Sequence, residues 1–174
     1  MPHMQDPYFR RAVVFICEHN KDGALGFIVN KPFETLELQD LFSDFFPDDD
    51  DILKLVPDVY FGGPVLVERG IVLHSADYKI ENTIAIGNDF SLTSNKTIIK
   101  EIAEKKGPKH SKLMLGHAGW AQYQLEAEIE NGDWLLEHTN IDFIFNTEEK
   151  FMWDTASKSF GIDMSGFSGF GGSA

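Results

Sequence analysis

The strongest constraint on this chain is a pair of neighbouring apolar runs joined by a short polar link that ends in glycine. Residues 11–17 read Arg-Ala-Val-Val-Phe-Ile-Cys and residues 24–29 read Ala-Leu-Gly-Phe-Ile-Val, both rich in β-branched and aromatic side chains. The link, 18–23, reads Glu-His-Asn-Lys-Asp-Gly. Such runs form two adjacent antiparallel strands, and Pro32 stops the second.

The same strand-and-turn grammar continues downstream. Residues 59–61 form a short run that breaks at Gly62-Gly63-Pro64, and 65–67 and 70–74 read as two further short strands. Residues 83–86 and 90–92 flank a Gly87-Asn88-Asp89 turn, and 112–115 form a strand that runs into Gly116-His117-Ala118-Gly119, read as a small-residue turn. Residues 134–136 and 142–145 are expected to be the closing strands.

Helices interrupt this series irregularly. Leu38, Leu41, Phe42 and Phe45 recur at helical spacing between Thr35, a cap, and Pro47, a stop. Ile98, Ile99, Ile102 and Ala103 form a stripe, with Ser94 as the expected cap and Gly107-Pro108 as the end. Ala121, Leu125 and Ile129 repeat every four residues up to Asn131-Gly132, and Thr147 with Glu148 and Glu149 opens a last helix carrying Phe151, Met152, Ala156 and Phe160. The pattern predicts an α+β fold: one domain, residues 1–164, with a curved, mostly antiparallel sheet or small β-barrel surrounded by about four helices. Residues 165–174, rich in Gly, Ser and Phe, are expected to form a flexible tail.

Composition narrows the function classes. At 174 residues the chain is the length of one domain, and 43% hydrophobic residues with 15 phenylalanines exclude a disordered chain. No apolar run is long enough to span a bilayer. The opening residues have neither the basic nor the apolar region of a secretory signal. A single cysteine makes no internal disulfide, so a cytoplasmic location is expected. With 15 Lys+Arg against 28 Asp+Glu the formal charge is −13, and no helix carries a basic face, so direct nucleic-acid contact is not expected. Asp48 to Asp51 lack the glycine and glutamate spacing of a calcium loop and read as a solvated turn. Phosphate-loop, dinucleotide, zinc-protease and nucleophile-elbow motifs are absent, and the six histidines form no close pair. The sequence therefore predicts no cofactor and no metal.

Three polar blocks are candidates for chemistry. Strand alternation places Cys17 and His19 on one face, with Glu18 on the other. A thiol beside an imidazole is the raw material of a thiolate nucleophile, yet a lone cysteine after an apolar run is more often a small buried hydrophobe, and that inert reading is the stronger. Arg69 and His74 flank a strand after the Gly-Gly-Pro bend; Arg69 can hold a carboxylate or phosphate, or pair with a surface acid. The third block is 116–124. A small-residue turn there would expose backbone N–H groups to an anion, Gln124 and Glu128 share a helix face while Glu126 lies on another, and Trp120 anchors the helix to the sheet.

The opening 1–9 (Met-Pro-His-Met-Gln-Asp-Pro-Tyr-Phe), Cys17-Glu18-His19-Asn20 with Gly23, Gly26 and Asn30-Lys31-Pro32, Gly62-Gly63-Pro64, Arg69-Gly70 with Leu73-His74, and Gly116-His117-Ala118-Gly119-Trp120 with Gln124-Leu125-Glu126 resemble the successive blocks of the AlgH/YqgE family. Asn131, Trp134, Phe145, Trp153 and Gly161 extend the likeness over nearly the whole chain. Family members carry a strand segment ahead of the Met-Pro and end without a Gly/Phe tail, so the two ends depart from the pattern. The resemblance implies a compact α+β fold with a barrel-like sheet in the bacterial cytosol and the label of transcriptional regulator. It implies no particular reaction or ligand.

Residue reading and resemblance together single out Cys17, His19, Asn30, Arg69, His74, Gly119, Trp120, Gln124 and Glu128 as candidate ligand or partner residues. Three functions follow in order. The first is a regulator acting through a protein partner or small ligand, without membrane or nucleic-acid contact. The second is a small-molecule-binding protein or enzyme using Cys17/His19 with Arg69, His74 and Gln124. The third is a direct DNA binder. The three blocks are expected to converge on one face of the sheet, because strand ends gather at the opening of a curved sheet.

Overall fold

A computed structural model of the chain describes residues 6–33 and 58–160. The expected 38–45 helix, the 48–51 acidic loop and the 165–174 tail lie outside the described residues. Seven strands are seen among them: β1 (Val14–Asn20), β2 (Gly23–Ile28), β3 (Val59–Phe61), β4 (Val65–Ser75), β5 (Thr83–Ile86), β6 (Phe90–Thr93) and β7 (Ser111–Ala121). Four helices accompany them: α1 (Thr97–Ala103), α2 (Gln124–Glu130), α3 (Ile141–Asn146) and α4 (Glu149–Ser159).

The strands form one sheet in the order β1-β2-β7-β4-β6-β5, antiparallel throughout, with β3 joining β7 in parallel. A flat sheet would hold β1 and β6 about 19 Å apart, four spacings of about 4.8 Å. Instead the Phe15 ring of β1 meets the Phe90 ring of β6 with centroids 4.7 Å apart. The sheet is therefore curled into a half-barrel, and the expected α+β class with a curved, mostly antiparallel sheet holds.

Inside the curl, Phe15, Phe27, Leu73, Phe90, Leu92 and Met114 pack against Ile144 of α3 and Met152 of α4. On the opposite face, Ile98 and Ile99 of α1 cover Val72, Leu113 and Leu115. Leu125 of α2 packs on Ala24, Ala118 and Trp120. Alternation along β7 explains the division: Met114 faces inward while Leu113 and Leu115 face α1.

The structure corrects several local expectations. The polar 18–20 segment continues β1, and only Lys21 and Asp22 form the turn, because Asn20 pairs directly with Gly23. Residues 65–67 and 70–74 are one strand with a large bulge. Residues 116–121 are strand, of which 118–121 pair with β2, and form no turn. Residues 134–136 are not a strand, and 142–145 belong to α3. There Asn140 accepts the Phe143 amide at 2.8 Å, and this cap with interior packing of Ile144 overrides the β propensity of Phe143-Ile144-Phe145. Ser94 does not cap α1; Asn95 instead accepts the Thr97 amide at 3.0 Å.

Candidate functional site

Two glycines allow the half-barrel's two longest strands, β4 and β7, to meet. Gly116 has φ 71°, and a Cβ there would collide with the carbonyl oxygen of Gly63. Gly63 has φ 150° and lies equally hard against the His117 backbone. Neither position tolerates a side chain. The Gly-Gly-Pro bend thus does what its composition suggested: backbone meets backbone, with the Gly62 amide donating to the Leu115 carbonyl at 2.7 Å.

Beside this junction β4 bulges. From Val65 to Gly70 it takes five steps while β7 takes two, from His117 to Leu115. Leu66 sits in the left-handed region at φ 51°, a strained conformation for a branched side chain. The bulge carries Leu66, Glu68 and Arg69 to the rim of a cavity of about 740 Å³. Its walls include Leu25 and Phe27 of β2, Ile71 of β4, Ile84 and Ile86 of β5, and Leu92 of β6. Cys17, Glu18 and His117 also face it.

A bulge in β1 explains why Cys17 and Glu18 share this cavity. Ile16 pairs with Gly26 and Glu18 with Leu25, so Cys17 is the extra residue. The alternation that would put Cys17 with His19 is broken at that point. His19 turns away, and its Nε2 donates to Glu126 Oε1 of α2 at 2.7 Å.

The exposed Arg69 guanidinium and the His117 imidazole supply hydrogen-bond donors to the cavity. Arg69 makes no hydrogen bond or ion pair among the described residues, despite the excess of acids. His117, half-buried, likewise has no hydrogen-bond partner among them. Burial and the Arg69 guanidinium both lower the His117 pKa, so its imidazole is neutral near pH 7 and offers one N–H donor. Glu18 accepts a hydrogen bond from Asn20 Nδ2 at 2.6 Å. The Cys17 thiol donates weakly to the Phe15 carbonyl at 3.7 Å, and burial pushes its pKa up to about 12. At neutral pH it is a protonated thiol, which favours the inert reading over the nucleophile.

The other candidates lie elsewhere. His74 is fully buried on β4, its Nδ1 donating to the Ser75 carbonyl at 2.9 Å and its Nε2 meeting the Thr93 hydroxyl at 2.8 Å. Thr93 continues to Thr83 at 2.7 Å, and burial lowers the His74 pKa. Asn30 clamps the chain before β1, accepting the Val13 amide at 2.8 Å and donating to the Arg11 carbonyl at 2.9 Å. Gly119 is exposed on β7 opposite Leu25. Trp120 is buried against α2, as an anchor. Its indole N–H donates to Glu128 Oε2 at 2.8 Å, that of Trp134 to the same oxygen at 2.7 Å, and Gln124 Nε2 to Glu128 Oε1 at 2.8 Å. Glu128 therefore ties β7, α2 and the 131–140 segment together.

Of the three blocks, the structure joins Cys17, Arg69 and residues 116–117 in one cavity. It leaves His19 bonded to α2, Gln124 within α2 and His74 within a hydroxyl chain. His117 is the cavity residue that sequence reading left out of the candidates. The sequence had it within the 116–124 block, beside a glycine that the fold requires. A second, smaller cavity of about 260 Å³ lies between β1, Trp120, Trp134 and α4 and is walled by apolar groups.

The AlgH-like family model matches residues 1–165. The chain belongs to the AlgH-like family. Among AlgH-like relatives, a UPF0301 protein of Jannaschia sp. is 41% identical, over 94% of this chain and 85% of the relative. The YqgE protein of Salmonella paratyphi B is 35% identical, over 100% of this chain and 95% of its own length. The solution structure of the AlgH protein from Pseudomonas aeruginosa superposes with a TM-score of 0.77 at 32% identity, covering 100% of this chain and 92% of that one. A crystal structure from Corynebacterium diphtheriae, with a TM-score of 0.70 and 20% identity, shares the fold. No helix among the described residues is long and apolar enough to cross a membrane.

Proposed function

We propose that this AlgH-like protein is a regulator that works by binding a small ligand in the half-barrel cavity, in the cytoplasm and without direct DNA contact. One observation carries the reading. The strained β4 bulge carries Arg69, and β7 carries His117, to the edge of a large apolar-walled cavity, and neither side chain has a hydrogen-bond partner among the described residues. Apolar walls with a few convergent polar groups are the usual make-up of a small-molecule site. Strain held at such a place is a common mark of binding function.

The charge of −13 supports the second half of the proposal. Phosphate neutralisation needs clustered Lys and Arg, and the 94–106 segment scatters Lys96, Lys100, Lys105 and Lys106 beside Glu101 and Glu104. The test is a pair of titrations. Amide chemical shifts of Arg69, Gly70 and His117 should move with cavity-sized small molecules. Fluorescence anisotropy with duplex DNA at about 0.15 M salt should show nothing tighter than the nonspecific range of about 10⁻⁴–10⁻⁶ M. A salt-sensitive nanomolar complex with a defined duplex would refute the reading.

A further inference from the structure

Resting on that ligand-binding reading, the geometry points to the ligand's chemical class: we infer that the cavity takes an amphipathic monocarboxylate, its head on Arg69 and His117 and its apolar body against β5 and β6. The placement follows from which strands carry the guanidinium and imidazole and which carry the exposed apolar side chain. Ile84, Ile86 and Leu92 line the cavity from β5 and β6, and Ile84 is 62% exposed, an isoleucine on an edge strand beside an open cavity. Burying that side chain under a ligand is favourable by the ordinary hydrophobic effect. Arg69 and His117 come from β4 and β7 and line the same cavity, the β4 register setting the bulge that carries Arg69 between the partners of His117 and Leu115. A guanidinium fork and one N–H donor match the two oxygens of a carboxylate.

Glu18, Glu68 and Lys96 also face the cavity, so Arg69 and Lys96 are balanced by the two acids and no net positive field awaits a dianion. A single negative charge is matched by the Arg69 fork, whereas a doubly charged phosphate monoester meets stronger repulsion from the two acids. A cationic head would be repelled by Arg69 and would leave its guanidinium without a partner.

The experiment compares four probes that share one eight-carbon tail: octanoate, octanol, octyl phosphate and octyltrimethylammonium. Each is titrated into the whole chain, with dissociation constants from calorimetry and location from amide shifts of residues 66–71, 84–86 and 117. The expected result is that octanoate binds about tenfold or more tightly than octanol and more tightly than octyl phosphate. Arg69→Gln should weaken octanoate about tenfold and leave octanol within about twofold. His117→Gln, a second variant at a half-buried position, should weaken octanoate by a smaller factor. Unchanged far-ultraviolet circular dichroism establishes that each variant is folded.

Equal binding of octanoate and octanol, tighter binding of octyl phosphate or octyltrimethylammonium, or an Arg69→Gln variant that binds octanoate normally would overturn the carboxylate assignment. In those cases the cavity still binds small molecules and the broader reading stands. If none of the four moves the cavity amides, both fail together.

Discussion

Replacing Glu149 with glutamine removes the carboxylate that holds an almost wholly buried lysine. Lys112 points into the fold from β7 with its side chain 4% exposed, while that of Glu149, at the start of α4, is 31% exposed. The ammonium lies 2.8 Å from Glu149 Oε1 and 3.9 Å from the centre of the Tyr60 ring, and the Tyr60 hydroxyl donates to the same carboxylate oxygen at 2.7 Å. Burial lowers the Lys112 pKa even though Glu149 opposes it. For Glu149, burial pushes upward, but the bonds from Lys112 and Tyr60 win and hold it below its ordinary range.

The pair is therefore lopsided. Glu149→Gln strands a buried ammonium and should cost about 3–5 kcal/mol. Lys112→Met removes a charge-assisted bond of about 1.5–3 kcal/mol but also removes the desolvation of the ammonium. Glu149 then keeps the Tyr60 hydroxyl and some water, so the net loss should be only about 1–2 kcal/mol. In a domain of this size the two losses correspond to roughly 6–20 °C and 2–8 °C in Tm. Urea and thermal unfolding of both variants and the double variant measure this, and the double variant should be no less stable than Glu149→Gln alone. A Lys112→Met loss equal to or above that of Glu149→Gln would refute the reasoning.

The buried thiol gives a second expectation. Native Cys17 should react with an aromatic disulfide reagent far more slowly than the unfolded chain at pH 7.5, and fast native labelling would restore the nucleophile reading. His74 and His117, whose pKa values lie below the ordinary 6.5 in the fold, bind fewer protons folded than unfolded in that range. Stability should therefore be complete above pH 6.5 and fall as pH drops below it, and His74→Gln should flatten the fall; a level profile from pH 7 to 5.5 contradicts this. Gly116→Ala should destabilise the fold by about 3 kcal/mol or more, because left-handed strain adds to a collision with the Gly63 carbonyl; a circular-dichroism melt within 2 °C of the parent would contradict it.

The sequence by itself determined the class of fold and most of its strands. Apolar runs separated by glycine-bearing turns are local signals, and β1, β2, β3, β5 and β6 lie where those runs stand. The stripe at Ile98 and Ile99 likewise announced α1, since helical periodicity needs no knowledge of partners. The chain's own letters also flagged Arg69, Cys17 and Gly116 as unusual. Tertiary structure alone decided what those residues face. One extra residue at Cys17 reverses the sides of everything after it, so His19 reaches α2 while Glu18 turns to the cavity. Bulges of this kind arise from pairing across strands, and strand order is a long-range property that a local pattern does not carry. The same cause hid α3, whose aromatic run is strand-like until the curled sheet offers Ile144 an interior to fill, and it made His117 a cavity residue only once β4 and β7 had paired beside it.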